Sequence, residues 1–142
     1  MSKFTGLLFL GALFTWQQAS ACSCMEWQNA AAMVGRSQGA YLAIPASDSQ
    51  VVSADPEEFG STSMLTKFSV IRDYKNNSAK EVTIGSWKGD GANCGTHFTK
   101  DEGPFIIFAY KNNAGMLSMS SCSVGGIDAP ESIAFLKELN KL

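Results

Sequence analysis

Two of the four cysteines, Cys22 and Cys24, are separated by one serine and directly follow an apolar stretch that ends in Ala19-Ser20-Ala21. Small residues one and three positions before a cut are typical of the site at which a signal peptide is removed. We therefore expect Cys22 to become the first residue of the mature chain. A chain terminus that is also half of a cross-link would hold its free amine and its first carbonyl on a rigid core.

Residues 1–21 have the layout of a secretory signal peptide. Lys3 supplies the positive start, and the apolar stretch over residues 7–16 is too short to span about 30 Å of hydrocarbon. A buried core helix is the alternative interpretation, but Lys3 and the Ala-x-Ala ending fit it poorly. We predict export to the extracellular space or the periplasm, with no transmembrane segment in the chain.

A cysteine at the cut allows a second outcome, in which Cys22 is lipidated and anchors the protein to a membrane. Lipid processing usually requires Leu, Val or Ile three residues before the cysteine, and Ala19 occupies that position. We therefore expect the soluble product and keep the lipid anchor as the alternative. The two outcomes differ chemically, because lipidation would occupy the thiol of Cys22 and usually block its amine.

The size and charge of the exported part indicate one domain. Removing residues 1–21 from the 142-residue chain leaves 121 residues. Since Lys3 is the only charged residue of the leader, the 11 Lys and Arg become 10 against 13 Asp and Glu, a formal net charge of −3. The lysines are scattered singly, which argues against a nucleic-acid partner. We predict a single domain over residues 22–142.

All the cysteines, Cys22, Cys24, Cys94 and Cys122, lie in the exported part. An even number in an oxidising compartment predicts two disulfides. A bridge from Cys22 to Cys24 would close a strained ring, and the residues alone do not separate the other two pairings. A zinc or copper site at Cys-x-Cys would need reduced thiols, and the chain has one histidine. We expect no cofactor.

The pattern of apolar residues predicts a mainly β domain with two helices. Strands are predicted over residues 39–44, 64–74, 82–86, 104–110 and 116–120, with a brief strand at 50–54 inside an exposed loop over 45–63. The run from Phe105 to Ala109 is continuously apolar, as in a strand buried on both faces. Short antiparallel strands of this number suggest a small closed barrel.

The two helices are predicted on either side of these strands. An Ala-rich helix is expected over residues 28–34, and a second helix opens at Asp128 and Pro130. The second helix has an apolar stripe of Ile133, Leu136 and Leu139, with Phe135 and Leu142 beside it.

Several stretches together resemble the netrin-like domain of the tissue inhibitors of metalloproteinases. The opening is a mature Cys-Ser-Cys, the Ala-rich helix and Gly39-Ala-Tyr-Leu-Ala-Ile. The similarity continues through Phe68-Ser-Val-Ile-Arg-Asp-Tyr-Lys75, Gly91-Ala-Asn-Cys94-Gly95, residues 105–110 and Ser121-Cys122-Ser123. The chain looks most similar to the short bacterial relatives of that domain, over nearly all of residues 22–142.

The resemblance implies a five-stranded OB-type barrel with disulfides Cys22–Cys94 and Cys24–Cys122. It also implies inhibition of a zinc metalloprotease, in which the amine and carbonyl of Cys22 cap the catalytic zinc of the partner. Ser23 would enter the adjoining specificity pocket. The remaining protease contacts would come from Cys24, Met25, Cys94 and Gly95.

The alternative is a secreted netrin-like module for adhesion or protein binding that inhibits no protease. On that hypothesis Cys-Ser-Cys is only a staple, and three aromatic residues pack the barrel ends: Trp27, Trp87 and Phe98. An N-terminal extension before Cys22 separates the two hypotheses, because it would block only the zinc contact.

An enzyme is the least supported class, and we predict that the chain is not one. His97 is the single histidine and is expected at the surface or as a cap. The serines near the last strand lack a recognisable base, namely Ser118, Ser120, Ser121 and Ser123. The acidic pairs Glu57-Glu58 and Asp101-Glu102 lie in polar stretches and are expected to be solvated.

One surface modification is encoded by a local pattern. Asn76-Asn77-Ser78 satisfies the acceptor pattern for N-glycosylation at Asn76. The pattern applies only if the chain follows a eukaryotic secretory route.

Overall fold

Five strands close on one another to form a barrel, and two helices lie outside it. A computed structural model describes residues 27–54, 62–88, 95–128 and 130–142. The helices are α1 (Ala30–Arg36) and α2 (Pro130–Leu139). The strands are β1 (Gly39–Pro45), β2 (Gln50–Ala54), β3 (Thr62–Asp73), β4 (Glu81–Lys88), β5 (Phe105–Lys111), β6 (Leu117–Ser118) and β7 (Val124–Gly126).

The strand pairing closes the sheet without a free end. Strand β1 pairs antiparallel with both β3 and β5, and β3 pairs antiparallel with β4. Strand β6 completes the ring, because it pairs in parallel with β4 at Gly85 and Ser118 and antiparallel with β5. The order around the barrel is therefore β1-β3-β4-β6-β5, which confirms the predicted closed barrel. Strands β2 and β7 add to the outside of this ring by pairing with β3 and β5.

The inside of the barrel is filled by side chains that alternate along the strands. Phe68, Ile84 and Ile107 are fully buried there. Phe98 enters from the segment before β5 and packs edge-on against Phe68, with ring centroids 5.1 Å apart. Each such side chain contributes about 1.5–3 kcal/mol of hydrophobic stabilisation relative to an exposed one.

A second core lies between the outer face of the barrel and the helices. Ile106 and Phe108 of β5 point to this side, and Met33 of α1 and Leu139 of α2 cover them. Since Ile107 and Ala109 point into the barrel, β5 is buried on both faces, as its continuous apolar sequence predicts.

The predicted strands are found with small shifts at their ends. The brief strand at 50–54 is confirmed as β2, and β3 begins at Thr62, two residues earlier than expected. The strand predicted over 116–120 is reduced to Leu117–Ser118. It ends early because a 3-10 turn (Ser121–Ser123) follows and leads the chain into β7.

Both helices are confirmed, each with one difference. Helix α1 begins at Ala30 because the side chain of Asn29 accepts a hydrogen bond from the Ala32 amide at 2.8 Å, which is a strong N-cap. Helix α2 packs through Phe135, Leu136 and Leu139. The prediction that Ile133 and Leu142 join this stripe is wrong, since they are 44% and 59% exposed. Ile133 lies about 120° around the helix from Leu139, and Leu142 follows the helix end.

The turn between β3 and β4 is held by one carboxylate. The side chain of Asp73 accepts hydrogen bonds from the amides of Lys75 at 2.9 Å and Ala79 at 3.2 Å. Asn76 is exposed in this turn, and its glycosylation stays a prediction. Among the described residues, no helix is long and apolar enough to cross a membrane.

The barrel core can be tested with two substitutions on β3. Phe68→Ala should lower the free energy of unfolding by about 3–5 kcal/mol, because it leaves a cavity among fully buried side chains. Ile71→Ala on the same strand is the matched control, since Ile71 is 55% exposed, and should change the free energy by about 0.5 kcal/mol or less. Urea denaturation measures both. Equal losses in the two variants would contradict the assignment of Phe68 to the core.

The buried phenol of Tyr41 predicts a loss of stability at alkaline pH. Burial raises the pKa of Tyr41, and the negative charge of Asp73 raises it further. The folded state therefore keeps this proton more tightly than the unfolded chain, whose tyrosines titrate at about pH 10. The contribution is fully present below about pH 10 and is lost as the pH rises through the folded pKa. Tyr41→Phe should flatten this decline in denaturation measured from about pH 8.5 to 11. An equally steep decline would assign it to other groups.

Candidate functional site

Most residues of the predicted N-terminal site lie outside the described part of the chain. These are Cys22, Ser23, Cys24, Met25 and Cys94, together with the predicted signal peptide over residues 1–21. The described neighbours are Trp27, Gly95 and Cys122. Cys122 is itself a predicted disulfide partner, Gly95 directly follows Cys94, and Trp27 is three positions after Cys24. The contacts of these three residues are therefore the structural information about the site.

Cys122 lies in the 3-10 turn between β6 and β7. The turn is closed by Ser123, whose hydroxyl donates to the carbonyl of Ser120 at 3.1 Å and accepts from the Ser120 amide at 2.9 Å. Ser123 is buried, so the turn is held against the barrel. Cys122 is half-buried and its thiol is not free. The hydrogen bonds of Ser120 and Ser123 therefore fix the backbone on both sides of Cys122.

Trp27 lies directly on this turn. Its indole Nε1 donates a hydrogen bond to the carbonyl oxygen of Cys122 at 2.9 Å. The ring packs edge-on against Phe108 and Phe135, with centroid distances of 5.3 and 5.0 Å. Buried indole rings normally find a partner for their single N–H, and here the partner is the turn itself. Trp27 is thus a packed residue, but it packs in the core between the barrel and the helices and not at a barrel end, where the alternative hypothesis placed it.

Gly95 begins the described segment that follows Cys94. Two hydrogen bonds join the backbone of Thr96 to the end of β4. The Thr96 amide donates to the carbonyl of Trp87 at 2.7 Å, and the Thr96 carbonyl accepts from the hydroxyl of Ser86 at 2.8 Å. Gly95 itself is half-buried. The backbone that leaves the Cys94–Gly95 position is therefore held in place within two residues.

Phe98 anchors the same segment inside the barrel. Its amide donates to the hydroxyl of Ser49 at 2.7 Å, and its carbonyl accepts from the Ser49 amide at 2.9 Å. The Ser49 hydroxyl also bonds the fully buried hydroxyl of Thr66 at 2.7 Å. The Phe98 ring packs on Phe105 with centroids 5.0 Å apart. Phe98 therefore packs the barrel interior, whereas Trp87 is 40% exposed, which corrects its interpretation as a packing residue.

Among the residues that the structure describes, the polar side chains considered for catalysis are exposed, half-buried or bonded to the backbone, whereas Glu57 and Glu58 lie outside the described ranges. His97 is exposed between Thr96 and Phe98. The hydroxyl of Ser118 donates to the Tyr110 carbonyl at 3.2 Å, so it bonds the backbone of the neighbouring strand. Asp101 and Glu102 are exposed, as predicted. In the described ranges, no group of three or more His, Cys, Asp or Glu residues is arranged to hold a metal ion.

Ser49 and Thr96 hold the segment over residues 95–98 and were not identified from the sequence. Ser49 stands in a polar stretch where any serine could be solvated. Thr96 shows no pattern that distinguishes it from a loop residue. Ser49 bonds Thr66, 17 positions away, and Phe98, 49 positions away, and the Thr96 carbonyl accepts from Ser86, 10 positions away. Local sequence does not reveal contacts at such separations.

Comparison with known proteins gives no further assignment. No protein-family model matches the chain, and no curated protein matches it significantly.

Ser49 can be tested as the support of the segment over residues 95–98. Ser49→Ala removes the acceptor of the Phe98 amide and the partner of the Thr66 hydroxyl, both in the barrel interior. We expect a loss of about 1–3 kcal/mol in the free energy of unfolding and faster hydrogen exchange at the Phe98 amide. Ser69→Ala, at an exposed serine of β3, is the control and should be nearly neutral. Unchanged exchange at Phe98 would contradict this role.

Proposed function

We propose that the chain is an exported inhibitor of zinc metalloendopeptidases, whose mature N-terminus caps the catalytic zinc of the protease. The proposal rests on the resemblance to the netrin-like domain of the tissue inhibitors of metalloproteinases. The fold and two described contacts support it.

The order of the strands supports the OB-type assignment of the barrel. Numbered in chain order, the five barrel strands β1, β3, β4, β5 and β6 are arranged 1-2-3-5-4, with the first and fourth also paired. The third and fifth strands meet in parallel, and the other contacts are antiparallel. This order supports the five-stranded OB-type Greek-key barrel that the resemblance implies.

The contact between Trp27 and Cys122 is the observation that carries the proposal. Cys24 is three positions before Trp27, so their α-carbons can be at most about 11 Å apart. Because the Trp27 indole bonds the Cys122 carbonyl at 2.9 Å, the chain after Cys-Ser-Cys lies on the turn that holds Cys122. This is compatible with the pairing that the resemblance implies, Cys24 with Cys122 and Cys22 with Cys94.

Such cross-links would prepare the terminus for zinc binding. A protease zinc has three protein ligands and an open position for water. The neutral amine and the carbonyl oxygen of Cys22 would form a five-membered chelate there and displace the water. The reference pKa of a terminal amine is about 7.7–8.0, so protons and zinc compete for it near neutral pH. A terminus held in advance loses little conformational entropy on binding.

The other contacts would follow from the same placement. Ser23 would point into the specificity pocket beside the zinc, and Cys24 and Met25 would lie along the substrate cleft. Cys94 and Gly95 would complete the surface, next to Thr96, which two hydrogen bonds hold on β4. We call residues 22–25 with Cys94 and Gly95 the inhibitory ridge.

A second candidate function is a secreted protein-binding module that inhibits no protease. Exposed apolar side chains on the β2 and β4 strands favour it, with Val51 59%, Val52 55% and Trp87 40% exposed. Such side chains are common at protein interfaces. On this hypothesis the N-terminus only staples the barrel, and binding would not depend on its free amine.

A single added residue distinguishes these functions. An alanine placed before Cys22 moves the free amine away from the zinc and converts the Cys22 nitrogen into an amide. The inhibition constant against a sensitive zinc endopeptidase should then rise on the order of a hundredfold or more, about 3 kcal/mol of binding free energy. The control is an alanine added after the exposed Leu142, which should change nothing.

Intact mass and N-terminal sequencing must first show a free Cys22 and two disulfides in the exported protein. Inhibition that survives the extension would exclude zinc chelation by the terminus. If no zinc endopeptidase in a broad panel is inhibited, the binding module is favoured.

A further inference from the structure

Trp27 is the first described residue after the inhibitory ridge and has contacts with three separate elements. It bonds the 3-10 turn through the Cys122 carbonyl at 2.9 Å, and it packs on Phe108 of β5 and Phe135 of α2. Both ring contacts are edge-to-face, with interplanar angles of 89° and 61°. Pairs of this geometry contribute beyond their buried area. The indole is therefore held in orientation as well as in position.

The Trp27 ring occupies a space beside strand β7 that exists because Gly125 has no side chain. A Cβ atom at Gly125 would lie 2.9 Å from Cη2 and 3.3 Å from Cζ2 of Trp27, closer than side chains normally approach. The ring cannot yield easily, because Phe108 and Phe135 also pack against it. The neighbouring Gly126 differs, since a Cβ there would meet nothing closer than Phe105 at 4.0 Å. Of these two adjacent glycines, only Gly125 leaves room for the Trp27 ring.

We propose that Trp27 is a positioning residue that holds the inhibitory ridge in register with the barrel, independently of the disulfides. This inference rests on the proposed function. Trp27 is five residues after Cys22, and the disulfides would restrain only the side chains of Cys22 and Cys24. The contacts of Trp27 with Cys122, Phe108 and Phe135, together called the Trp27 clamp, fix where the chain leaves the ridge. Zinc chelation requires the terminal atoms to be placed to within about 0.5 Å, so loosening this end would weaken inhibition.

The test compares Trp27→Phe and Gly125→Ala with Gly126→Ala as the matched control. Trp27→Phe keeps a ring and removes the bond to Cys122, and Gly125→Ala displaces the ring without altering Trp27. Hydrogen exchange at the amides of residues 23–25 should become faster on the order of tenfold in both variants, with the amides of β1 and β5 unchanged. The inhibition constant should rise by a similar factor. Gly126→Ala should change neither quantity.

The outcomes separate this inference from the proposed function. Unchanged exchange at residues 23–25 in both variants would overturn the positioning role, and so would an equal increase throughout β1 and β5. If exchange responds as expected but the unaltered protein inhibits no zinc endopeptidase, the clamp stands and the proposed function fails. If inhibition is strong and both variants retain it, the proposed function stands and the positioning role fails.

Discussion

The burial of β5 on both faces is the constraint on which the rest of the structure depends. Its inward side chains, Ile107 and Ala109, complete the barrel core, and its outward side chains, Ile106 and Phe108, form the floor of the core beneath the helices. The same strand pairs with β1, β6 and β7, so it also closes the barrel. A polar residue on either face would lack water and a partner, at a cost of about 1–3 kcal/mol. Both cores therefore require this strand to be continuously apolar.

The candidate site is tied to β5 from two directions. On the outer face, Phe108 supports Trp27, which bonds the turn of Cys122. On the inner side, Phe105 supports Phe98, which ends the segment that starts at Gly95. Trp27 and the segment that starts at Gly95, which are the described neighbours of the proposed site, are thus supported by the same strand. In a binding protein, such an arrangement reduces the conformational entropy that is lost when the partner docks.

Local patterns predicted the elements well and their ends less well. Alternation and turn residues located the strands because a strand alternates its side chains within a few residues. Helix α1 begins at Ala30, two residues later than predicted, because the side chain of Asn29 caps it. Asn29 is a local capping signal, but the prediction relied on the Ala-rich run. Ile133 was assigned to the wrong face, because several apolar spacings on a short helix agree with a stripe. Which apolar residues of α2 are buried depends on where the barrel and α1 contact this helix.

The sequence alone determined a mainly β fold, a strand buried on both sides, and the order of two helices and six of the seven described strands; β7 was not predicted. These properties follow from the period of apolar residues and the chemistry of turns, which act over short stretches of chain. Only the tertiary structure decided that Trp27 lies on the Cys122 turn, that Gly125 leaves room for its ring, and that Ser49 holds Phe98. Residues 27 and 122 are 95 positions apart in the chain. Contacts at such separations depend on how the barrel closes, and no short stretch of sequence encodes them.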